Sequence, residues 1–61
     1  MTQKTLAKLP MNILIKVNRL KSNYDGSIET RARICGYLDC LLDCGIITAI
    51  EKRCLHSYMT L

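Results

Sequence analysis

Leu6, Leu9, Ile13, Val17, Leu20 and Tyr24 recur at spacings of three and four, the interval at which residues return to one side of an α-helix. Pro10 sits inside that run. A proline is tolerated in a first helical turn and damages an interior, so the spacing predicts a regular helix over 9–23, with 1–8 as a separate arm or turn. The turn formers Asn23, Asp25, Gly26 and Ser27 follow, and Ser27 is placed to cap a second helix with Glu29 in its first turn. That helix, over 28–44, carries Ile28, Ile34, Cys35, Leu38, Leu41 and Leu42 on one broad apolar face. A third, over 49–60, carries Ile50, Cys54 and Tyr58, with Leu61 continuing the stripe and Ile47 just ahead of the cap.

The junction between the last two helices is the most explicit local signal. In the run Asp43-Cys-Gly-Ile-Ile-Thr-Ala-Ile-Glu-Lys52, Gly45 can adopt the left-handed conformation that closes a helix. Thr48 and Glu51 form the T-x-x-E pattern of a capping box that opens the next. Short connections make neighbouring helices antiparallel. The chain is therefore expected to be all-α: one domain over 1–61, a compact three-helix bundle ending in a capped helical hairpin.

The same run, from Leu38 through Leu41, Leu42, Gly45, Ile46, Ile47 and Thr48 to Glu51, resembles the short C-terminal (SHOCT-type) helical-hairpin domains. Those carry leucines, then G-I-I/L-T, two variable residues and a Glu. The resemblance covers residues 38–51 and implies an oligomerisation or interaction module and not an enzyme. The whole chain is also similar in type to the short helical proteins of bacteriophages and mobile elements, some of which inhibit host defence.

Composition suits packed helices. The 61 residues are 49% hydrophobic, without Phe or Trp, and hold only three Gly and one Pro. A chain this short buries only about 60% of its unfolded surface, so a disulfide, a metal or a partner subunit has to be considered as added support. The apolar run Met11–Ile15 is interrupted by Asn12 and stopped by Lys16, which argues against a secretion signal. Nothing approaches the ~20 apolar residues of a membrane span. A cytoplasmic address, with reduced thiols, is the expectation.

Charge is unevenly spread. Lys4, Lys8, Lys16, Arg19 and Lys21 put five cations and no acid in residues 1–24, whereas 25–61 holds four basic and five acidic side chains. The N-terminal third is the natural meeting place for an acidic partner. Asn12, Lys16, Arg19 and Asn23 follow i, i+4, i+7, i+11 spacing, so they line one flank that can track a phosphate backbone. An ordinary solvated helix face has the same spacing.

Cys35, Cys40, Cys44 and Cys54, with His56, supply enough ligands for a tetrahedral zinc site on inventory alone. Cys40 and Cys44 lie one helical turn apart and can chelate from one face, but Cys35 is about 140° round the helix from Cys40, at roughly 100° per residue. The cysteines are therefore expected to act as small buried apolar residues, with no metal, cofactor or catalytic site. Asp39 and Asp43, one turn apart, read as a solvated face.

An excess of apolar surface carries the functional expectation. With Ile13 as the core direction, Met11, Leu14 and Ile15 project roughly 100° to 200° away. On the second helix Tyr37, Cys40 and Cys44 lie on a flank opposite Cys35 and Leu42. Met11, Leu14, Ile15 and Tyr37, with Lys16 and Arg19 steering by charge, are the expected contacts for a larger protein or a second copy. The expected function is a non-enzymatic interaction module, a phage or mobile-element regulator or inhibitor. The alternative is a nucleic-acid-binding accessory protein using Asn12, Lys16, Arg19 and Asn23.

Overall fold

A computed structural model describes residues 2–61. Among the described residues there are four helices and no strand: α1 (Thr2–Ala7), α2 (Met11–Ser22), α3 (Ile28–Asp43) and α4 (Ala49–Met59). The all-α expectation holds, and the reading of 1–8 as an arm or turn is corrected, because α1 forms a fourth, short helix there. Leu6 and Leu9 fit the periodicity of α2 so well that they masked it. Proline disfavours helical backbone in the residue before it, so α1 closes with tight bonds from the Lys8 amide to the Thr5 carbonyl (3.3 Å) and from Leu9 to Leu6 (3.2 Å). Pro10 is then the N-cap of α2, with φ −56° and ψ 150°, and its carbonyl accepts from the Ile13 and Leu14 amides.

The turn into α3 is held by Asp25. Its carboxylate accepts from the Ser27 amide (2.9 Å) and the Thr30 hydroxyl (2.8 Å), while the Ser27 hydroxyl accepts from the Thr30 amide (3.2 Å) and caps the helix. Bonding to Ser27, then to Thr30, holds the Asp25 carboxyl down from 3.8 to about 2.

The exit from α3 is a Schellman motif. With Gly45 at φ +74°, the Ile46 amide bonds to the Leu41 carbonyl (2.9 Å) and the Gly45 amide to Leu42 (3.0 Å). The entry to α4 is the capping box expected from the sequence: the Thr48 hydroxyl accepts from the Glu51 amide (3.1 Å), and a Glu51 carboxylate oxygen accepts from the Thr48 amide (2.8 Å).

Helix α4 packs against each of the other three helices. The core consists of Leu9, Ile13 and Val17, then Ile34, Leu38 and Leu41 from α3, Ile47 from the turn, and Leu55 and Met59 from α4. Two expectations are corrected here. Ile28 is exposed, since it lies about 120° round α3 from Ile34. On α4 the expected stripe Ile50, Cys54, Tyr58 and Leu61 is only the edge of the core face: Tyr58 packs half-buried against the core and Cys54 is half-buried, but Ile50 and Leu61 are 62% and 91% exposed, whereas Leu55 and Met59 are 0% and 1%.

Two ion pairs lie at the edges of the buried stripe. Glu51 pairs with Lys8, just beyond α1, and Lys52 pairs with Asp39 on α3. At about 100° per residue, Leu55 and Met59 fall between the directions of Glu51 and Lys52, so the two pairs bracket the buried stripe.

Three outcomes follow from this packing. Leu55→Ala should destabilise the chain by about 2–5 kcal/mol, whereas Ile50→Ala should stay within about 0.5 kcal/mol, as read by urea denaturation. The reverse order would restore the 50/54/58/61 stripe to the core. Gly36 lies inside α3 with open space around it, so Gly36→Ala should raise stability by about 0.5–1 kcal/mol. Gly45→Ala, equally unobstructed but at positive φ, should lower it by about 1–2 kcal/mol. Finally, an NMR titration should find Asp25 protonating near 2. Its contribution to stability is complete above its ordinary value near 3.8 and is lost as pH falls to about 2. Ser27→Ala should move that midpoint back up.

Candidate protein interface

The outer face of α2 is built by the helix period: burying Ile13 and Val17 leaves Met11 and Ile15, one turn apart, on the far side. They are 71% and 51% exposed. Leu14 lies on a flank, half-buried and packed against the core, so Met11 and Ile15 form the open part of the expected apolar set.

Lys16 and Tyr37 are brought together. The Lys16 ammonium lies 5.9 Å from the centroid of the Tyr37 ring, joining α2 to α3. Burial, then the neighbouring Cys40, pushes the Tyr37 phenol up from its ordinary value of 10.0. Arg19 is exposed beyond Lys16, and Asn12 and Asn23 are exposed on the same flank, Asn23 being the C-cap of α2. Neither Lys16 nor Arg19 makes an ion pair among the described residues.

On the other side of α2, the Lys21 ammonium lies 4.7 Å from the Tyr58 ring centroid. Tyr58, half-buried against the core, also lines a surface on α4. Ile50, Arg53, Cys54, Ser57, Tyr58 and Leu61 line an open groove along α4, an apolar strip with a cation in it. The signal was present in the sequence as two apolar stripes on one helix, 50/54/58/61 beside 55/59. Periodicity alone does not say which of two such stripes faces inward.

The expectation of buried cysteines is also corrected. Cys35 and Cys54 are half-buried, but Cys40 and Cys44 are exposed. They fall on the Tyr37 flank of α3, about 140° and 180° from Cys35, as the spacing requires. The Cys44 thiol and its hydrogen bond, with Asp43 contributing last, push the Cys40 thiol up from 9.0. Cys35 lines a second cleft with Lys52, Arg53, His56 and Ser57. Among the described residues no three His, Cys, Asp or Glu side chains converge as a metal cage.

No helix among them is long and apolar enough to cross a membrane. No protein-family model, curated protein or solved structure matches the chain.

Proposed function

We propose that this chain is a non-enzymatic protein–protein interaction module, a cytoplasmic phage or mobile-element regulator or inhibitor that acts by surface contact with a larger protein or a second copy. The observation that carries the reading is apolar surface left outside a core that is already complete. Met11 and Ile15 stand open on α2, and Ile50 and Leu61 on α4, while Leu55, Met59 and their neighbours fill the interior. Exposed large apolar side chains flanked by charge are what a contact surface needs. Lys16, Arg19, Lys21 and Arg53 flank these faces and suit an acidic partner. The resemblance of 38–51 to SHOCT-type hairpins supports the same class of role.

A nucleic-acid-binding role is the second reading, and the exposed Lys16 and Arg19, without an ion pair among the described residues, favour it beside Asn12 and Asn23.

The two separate by capture of partners from cell lysate on tagged, reduced protein, with and without nuclease. The interaction reading expects a stoichiometric protein that survives nuclease. It also expects loss of that protein in Met11→Glu/Ile15→Glu or in Ile50→Glu, with helicity and melting temperature unchanged. Material lost on nuclease treatment, together with affinity that collapses between about 50 and 200 mM salt and depends on Lys16 and Arg19, would give the chain to nucleic acid instead.

A further inference from the structure

We infer that Cys40 and Cys44 form a two-thiolate clamp for a thiophilic d10 cation at the C-terminal end of α3. Both thiols are exposed, and no assigned role uses them. Residues four apart in a helix are separated by about 6 Å of rise and about 40° of rotation, so the two thiols stand one above the other on one face. The neighbouring Cys44 thiol is the largest influence on that of Cys40.

That spacing suits an inserted ion better than a direct bridge. A disulfide needs Cβ atoms about 3.5–4.5 Å apart, whereas helical neighbours hold them at about 5–6 Å, so closing the bond would unwind the last turn of α3. Two metal–sulfur bonds of about 2.3 Å span up to roughly 4.6 Å between sulfurs and close the same gap with the helix intact.

The surroundings favour a cation. Cys44 is the C-cap of α3, at the negative end of the helix dipole, and the Asp43 carboxylate is adjacent. Thiolate donors select soft ions such as Zn2+ and Cu+ over Mg2+ and Ca2+. With no third ligand converging among the described residues, the clamp is bidentate and water completes the coordination. Binding replaces each S–H bond by an S–metal bond and releases two protons to solvent, with no change of oxidation state.

The test is a titration of the full, reduced chain with Cd2+ alone at pH 7, following thiolate-to-cadmium charge-transfer absorbance and proton release. The expected result is saturation at one ion per chain with two protons released, and no change in far-UV circular dichroism. Cys40→Ser and Cys44→Ser should each lose about 10–100-fold in affinity, at least the scale that an outer-shell partner commands. Cys35→Ser/Cys54→Ser should bind as the parent does. Absence of the charge-transfer band, its survival in Cys40→Ser, or its loss in Cys35→Ser/Cys54→Ser would overturn the assignment. These outcomes are independent of whether Met11, Ile15 or Ile50 contacts a protein.

Discussion

Glu51 uses both carboxylate oxygens. One accepts from the Thr48 amide and completes the capping box, and the other takes the Lys8 ammonium. A single side chain thus sets where α4 begins and which way it is turned, and it ties the N-terminal segment to that helix. The Lys8 ammonium is the larger cause, and the Thr48 amide the next, of a carboxyl held below its ordinary value. Since α4 touches every other helix, its start and rotation propagate through the whole packing.

The hinge around Glu51 was legible because its chemistry is local. Gly45, Thr48 and Glu51 each satisfy backbone groups within a few residues, so a pattern four to seven residues long carries the information. The core faces of α2 and α3 were legible for a similar reason: Ile13 with Val17, and Ile34 with Leu38 and Leu41, are the only strong stripes that agree with their neighbours. Helix α4 was not. It carries two apolar stripes, and the choice between them is made by Lys8 and Asp39, which lie 43 and 13 residues away in sequence from their partners Glu51 and Lys52. A helix as short as α1 has too few turns to show a period, and Leu6 and Leu9 were absorbed by the period of α2. Of the candidate site, Met11, Ile15, Lys16, Arg19 and Tyr37 could be placed from the sequence. The α4 groove could not, because its residues were spent on the core.

Helix α2 is fixed in the way α4 is. Lys16 and Lys21 lie on opposite flanks of the line through Ile13, Val17 and Leu20, and each reaches an aromatic ring on a different neighbour, Tyr37 on α3 and Tyr58 on α4. In both helices a buried apolar stripe is bracketed by two polar contacts at its edges. Exposed ion pairs and cation–π contacts are individually weak beside the burial of leucine and isoleucine. Their effect is on selection: they discriminate between rotations of a helix that would bury similar amounts of apolar surface.

That selection decides the surface as much as the interior. Rotating α4 by about 100° would turn Ile50 and Cys54 inward and Leu55 and Met59 outward. The pairs at Glu51 and Lys52 would both be broken by it, and in the observed rotation the Ile50 and Leu61 side chains lie outside beside Arg53. The bracket on α2 likewise holds Met11 and Ile15 away from the core. The polar contacts at the edges of each stripe thus fix which apolar side chains face outward, and they give the two outer faces a defined pattern.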